Sequence, residues 1–243
     1  MIVSETKPIG EILEMVKAHR KLLVVGCGGC ATVCFSGGES EVKTVANLLR
    51  IAFLKAGRGL EIIEDTVLRQ CEFEYADQMA AKAKAEGVEA ILSLGCGVGV
   101  NFLATKLGPI PIYPGVNTEF FGAAIEHGVW AELCSGCGDC LVHLTGGICP
   151  VTRCTKSLMN GPCGGTTDDG KCEIGPEVEC GWALIIKRLK ELGQMDRIGK
   201  VIPPRDWSAS RHGGPRKIKK DLKLEVGSGK APSALEKDLR SSK

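Results

Sequence analysis

Eight cysteines crowd into the stretch from Cys134 to Cys180, where hydrophobic periodicity stops. Ser135, Gly136, Gly138, Asp139, Gly146, Gly147, Pro150, Asn160, Gly161, Pro162, Gly164, Gly165, Asp168 and Gly170 describe loops there. Such a segment struggles to order itself by burying apolar surface, so a bound inorganic core has to supply part of its order. Its opening spacing, Cys134-x-x-Cys137-x-x-Cys140, brings several thiolates onto one small centre.

In all, the 243 residues hold thirteen cysteines. The other group is Cys27, Cys30, Cys34, Cys71 and Cys96, ahead of Cys134, Cys137, Cys140, Cys149, Cys154, Cys163, Cys172 and Cys180. An odd count argues against a closed set of disulfides. Residues 1–20 carry Glu5, Lys7, Glu11, Glu14, Lys17, His19 and Arg20, which leaves no apolar stretch for a secretory signal. No run approaches the roughly 18 uncharged apolar residues that cross a bilayer. The expectation is a cytoplasmic protein without membrane insertion, whose thiols stay reduced and bind metal. A net charge of +2 points to no particular acidic partner. Charge is uneven, however, because from Arg205 onward 11 Lys and Arg face 5 Asp and Glu.

Ahead of the cysteine-rich stretch, apolar spacing predicts regular alternation. Pro8 followed by Ile9, Ile12, Leu13 and Val16 has the pattern of an amphipathic helix. Strands are expected over 21–25, 60–68, 90–94 and 110–113, and helices over 41–56, 75–86 and 100–107. This alternation predicts an α/β class, with residues 1–130 forming an open parallel sheet of the Rossmann or flavodoxin-like kind. Cys27 and Cys96 follow strands directly and Cys71 lies just after one, so all three are expected on the rim where the strands end, with Cys30 and Cys34 beside Cys27.

A nucleotide site competes for that rim. Gly26-Cys27-Gly28-Gly29 and Gly95-Cys96-Gly97-Val98-Gly99 are glycine-rich turns after strands, but neither completes a dinucleotide fingerprint. Ala31, a tolerated variant, and Val100 stand at the third glycine, and Glu64 and Asp65 fall inside the second strand. The glycines fit better as places where backbone approaches a cluster and donates N–H groups to its sulfurs.

In the second half, eight cysteines make two sets of four, the complement of two [4Fe–4S] clusters. Two four-thiolate zinc sites satisfy the same count, but after Cys140 the gaps of 8, 4, 8, 8 and 7 residues suit loops around a cluster better than zinc knuckles. Which four cysteines share a centre is open, because Cys149-Pro150 imitates the ferredoxin cysteine that serves the other cluster. His143 is read as a loop residue, and Arg153, Lys156 and Lys171 either as solvated charge or as compensation for a cluster's negative charge. A helix is expected from Trp182 to a stop at Gly193, with Trp182 covering a cluster or simply packing in a core. The division expected is 1–130, a loop-rich iron–sulfur domain 131–204 and a basic tail 205–243. The tail lacks the aromatic interleaving of a nucleic-acid arm, since Trp207 stands alone.

Cys134-Ser-Gly-Cys137-Gly-Asp-Cys140, Gly147-Ile-Cys149-Pro, Arg153-Cys154, Asn160-Gly-Pro-Cys163-Gly-Gly165, Lys171-Cys172-Glu and Cys180-Gly-Trp182 together resemble the small cysteine-rich subunit of the methylenetetrahydrofolate reductase of acetogenic bacteria. Gly26-Cys27-Gly-Gly-Cys30-Ala-Thr-Val-Cys34, Gln70-Cys71 and Gly95-Cys96-Gly-Val-Gly99 extend the likeness into the first half, so that it covers roughly residues 10–204. The resemblance implies an electron-transfer subunit rather than the catalytic chain. Its partner would be a flavin-bearing large subunit, with FMN, that reduces 5,10-methylenetetrahydrofolate to 5-methyltetrahydrofolate. Further electron-donor subunits or a ferredoxin are additional partners on this view. The rim of Cys27 to Cys96 is left to a third [4Fe–4S] cluster or to zinc. No general acid/base pair, nucleophile or phosphate loop stands out in the sequence, which agrees with electron conduction.

Overall fold

The computed structural model describes residues 1–218. The chain forms two compact units, Met1–Arg205 and a second that begins at Asp206. Most of the basic tail 205–243, including Lys219 and Lys220, lies outside the described residues.

The first unit opens with β1 (Ile2–Thr6), α1 (Ile9–Val16), β2 (Lys21–Cys27), α2 (Cys30–Val33) and α3 (Glu39–Lys55). Next come β3 (Glu61–Val67), α4 (Phe73–Ala85), β4 (Ala90–Ser93), α5 (Gly97–Ala104) and β5 (Ile112–Pro114). The remainder is β6 (Val116–Glu126), β7 (Val129–Cys134), α6 (Pro150–Arg153), β8 (Lys171–Cys172), β9 (Gly175–Glu179) and α7 (Gly181–Glu191). Each helix and strand expected from periodicity is present, within a few residues of its expected bounds.

Four parallel strands form a sheet in the order β3-β2-β4-β5, which is an α/β fold. Successive side chains of β2 face opposite sides. Leu22 and Val24 pack with Ile12 and Val16 of α1 and with Val42, Leu49 and Phe53 of α3. Leu23 and Val25 pack with Ala76, Met79 and Ala83 of α4 and with Leu103 of α5. Helices cover both faces, which is why β2 reads as an unbroken apolar run. The edge strand β3 carries charge instead, and its two central acids each meet a cation from a neighbouring helix. Glu64 pairs with Arg50 of α3 at 2.6 Å, and Asp65 with Lys82 of α4 at 2.8 Å. Neither acid is placed as a ribose ligand at a strand end.

The chain leaves β2 for β3 on one side and then crosses to β4 on the other. A crevice therefore opens at the carboxyl ends of β2 and β4, the topological switch point of such sheets.

A second sheet, antiparallel and ordered β1-β6-β7, is not foreseen by the sequence reading. Ile2 pairs with Phe121 and Thr6 with Val116, across more than a hundred residues. His127 and Gly128 make the two-residue turn between β6 and β7, with Gly128 at φ +79°. A small third core joins Trp182, Ile185 and Leu189 of α7 to Ile148, Cys154 and Leu158.

Candidate metal centres

At the rim of the parallel sheet, Cys27 ends β2, Cys96 caps the N-terminus of α5 directly after β4, and Cys71 follows β3. Desolvation of the Cys71 sulfur pushes its thiol up, and Cys27 and then Cys96 add to the shift. The three cysteines thus share the rim at the crevice, one from the end of each of three strands. Cys30 opens α2 beside them, but Cys34 has separate company. Its buried sulfur lies 3.2 Å from Ser36 Oγ and 3.5 Å from Ser4 Oγ, so β1 rather than the rim encloses it.

The rim is held in place by Gln70, which is fully buried. Its Nε2 donates to the carbonyls of Val25 (3.1 Å) and Gly26 (3.0 Å), and its Oε1 accepts from Ser93 Oγ at 2.6 Å. One side chain thereby ties the ends of β2 and β4 together. A Cβ on Gly95 would stand 2.5 Å from Gln70 Oε1, so this glycine is needed for the amide to fit. Gln70→Ala removes three buried hydrogen bonds at once, and is expected to cost about 2–3 kcal/mol. Urea unfolding checks this, and a loss below about 0.5 kcal/mol contradicts the tie.

In the second half, Cys154, Cys163, Cys172 and Cys180 line one small pocket together with Lys156, Gly165, Gly181 and Trp182. Local structure explains the convergence. The strands β8 and β9 form a short hairpin, and Thr166 bridges to Cys172 through its backbone. The Thr166 hydroxyl lies 3.0 Å from Cys180 Sγ, which links the two cysteines. Gly165 N–H donates to Cys163 Sγ at 3.4 Å. Gly181 lets α7 start against α6, since a Cβ there would meet the Arg153 carbonyl at 2.5 Å. That contact brings Cys180 beside Cys154.

Electrostatics favour charge on the Cys180 sulfur. Burial opposes ionisation of Cys180, but the Thr166 hydroxyl and the Ala183 and Trp182 N–H groups outweigh it and lower its pKa. A thiolate at a helix N-terminus is the form that binds metal. Lys156 is raised by its bond to Glu173 and, against some desolvation, by Cys163. Trp182 is buried and donates to the Leu158 carbonyl at 2.9 Å, so it both packs in the small core and walls the pocket.

The remaining four cysteines lie apart from that pocket. Cys134 ends β7, Cys137 and Cys140 follow on the same loop, and Cys149 caps α6, which packs on β7. Gly136 N–H donates to Cys134 Sγ at 3.4 Å, repeating the turn at Cys163. Arg205 binds the carbonyls of Cys137 and Asp139 and so closes this loop.

All thirteen cysteines are free thiols. Among the described residues, no three His, Cys, Asp or Glu side chains are grouped so as to hold a metal ion. The donor set at the pocket, four cysteines with N–H and O–H groups aimed at sulfur, fits a four-thiolate cluster. Sequence reasoning missed Gln70 as the tie across the sheet, Thr166, and the β6–β7 hairpin. Only the hairpin had a local signal, in the His127-Gly128 turn between apolar stretches.

Residues 113–208 match the family model described as methylene-tetrahydrofolate reductase C terminal. The matched span runs from β5 past α7 and holds all eight cysteines of the second group, which relates this segment to methylenetetrahydrofolate reductase. Residues 1–112, with Cys27, Cys30, Cys34, Cys71 and Cys96, lie outside the match. No curated protein matches the chain. Among the described residues no helix is long and apolar enough to cross a membrane.

Proposed function

We propose that this chain is an electron-transferring iron–sulfur subunit of a methylenetetrahydrofolate reductase, with two [4Fe–4S] clusters in its second half. The observation that carries the reading is the pocket of Cys154, Cys163, Cys172 and Cys180, inside the segment related to that enzyme. From Val151 to Glu179 no residue is buried, so the loops that bear these cysteines have little apolar packing to hold them. An inorganic core supplies what packing does not.

The spacing of the cysteines along the chain supports iron over zinc, because after Cys140 the gaps of 8, 4, 8, 8 and 7 residues suit loops around a cluster better than zinc knuckles.

When bound, such a cluster takes up and releases single electrons. The chain's own groups then act on the sulfurs. Gly165 N–H and Thr166 O–H donate to Cys163 and Cys180, Lys156 places a cation near Cys163, and Trp182 keeps water from one side. Hydrogen bonds and cations at sulfur stabilise the more negative, reduced form. The same reading gives the second set, Cys134, Cys137, Cys140 and Cys149, to the other cluster, and Cys27, Cys30, Cys71 and Cys96 to a third centre, [4Fe–4S] or zinc. Reduction of the folate falls to the flavin-bearing partner.

Anoxic purification of the full chain tests this. Brown protein with about eight irons in the second half, and spectra that bleach on reduction, is the expected result. Colourless protein carrying only zinc overturns it.

A further inference from the structure

We infer that the β6–β7 hairpin is a docking edge for a partner protein that presents an apolar segment flanked by lysine or arginine. From Asn117 to Cys140 no residue is buried. Yet Phe121, Ile125, Val129 and Leu133 are large and apolar, and each is between 37% and 57% exposed. Large apolar side chains left exposed beside an open strand edge mark a surface that another molecule completes.

The edge itself is open. β7 is the outer strand of its sheet, and among the described residues its backbone hydrogen-bonds only to β6. It carries neither lysine nor proline, the residues that ordinarily keep an edge from pairing.

Charge selects the occupant. From Leu107 to Thr152 there is no lysine or arginine, although the chain has 31. Glu119, Glu126 and Glu132 are exposed there, and among the described residues none forms a salt bridge. A second copy of the chain would bring the same three carboxylates against these, whereas a cationic rim offsets them. β7 ends in Cys134, so the docked partner lies beside the Cys134–Cys140 loop. That placement rests on the electron-transfer reading above, in which the partner is the flavin-bearing subunit.

The test uses the full chain and the flavin-bearing subunit as the probe. Leu133→Glu, and separately Glu126→Lys with Glu132→Lys, are each expected to weaken association about tenfold or more. Iron content should stay that of the wild type, which shows that the variants fold. Wild-type affinity should fall as salt rises, and the lysine variant should lose that dependence. Undiminished binding by both variants refutes the docking edge while leaving the functional reading intact. No binding by the iron-replete wild type refutes the partner reading, and this inference with it. A dimer of the isolated chain that Leu133→Glu converts to monomer assigns the hairpin to self-association and also refutes it.

Discussion

A chain with both Cys137→Ser and Cys149→Ser is expected to keep about four of the eight irons of its second half, whereas Cys149→Ser with Cys163→Ser keeps almost none. The reason is the grouping of the cysteines. Cys154, Cys163, Cys172 and Cys180 line one pocket, and Cys149 is absent from it. Cys149 instead caps α6, which packs on the strand that ends in Cys134. Two lesions in one set of four remove one cluster, and one lesion in each set removes both. A ferredoxin-like exchange, in which Cys149 serves the other centre, gives the reverse iron counts. Iron and sulfide analysis of the two anoxically prepared double variants decides between them.

Removal of iron is expected to loosen the second half far more than the parallel sheet. No residue from Val151 to Glu179 is buried, and the core on α7 is small. By contrast β2 is buried along its length from Leu22, between two separate apolar layers. After chelation under reducing conditions, amide exchange over 151–179 should quicken by about a hundredfold or more, while that of β2 and β4 stays slow. Hydrogen exchange with mass spectrometry reads both regions in one sample. If the loops keep their protection without metal, the idea that cluster ligation orders them is wrong.

Legibility differed between the two halves. The alternation of helices and strands around the parallel sheet could be read because Ile12 and Val16, or Val42, Val45 and Leu49, declare a helix face within a turn or two of chain. Strand ends then placed Cys27, Cys71 and Cys96 on one rim, since an open parallel sheet sends its carboxyl ends to one edge. The sheet β1-β6-β7 escaped, because β1 pairs with a strand more than a hundred residues away and β6 has two register irregularities that blur its alternation. Gln70 escaped too. A glutamine after a strand is ordinary in a sequence, and only the approach of Val25, Gly26 and Ser93 makes it a buried tie.

Residue chemistry and short-range periodicity were enough to determine the α/β class, the thiol-rich character of both groups and the loop nature of the second half. Tertiary structure alone decided which four thiols face one pocket, that Cys34 is held by Ser4 and Ser36, and that an acidic, apolar hairpin stands unburied beside Cys134. The physical reason is range. A helix or strand is specified by side chains three or four residues apart, whereas a ring of sulfurs depends on the path of every loop between them.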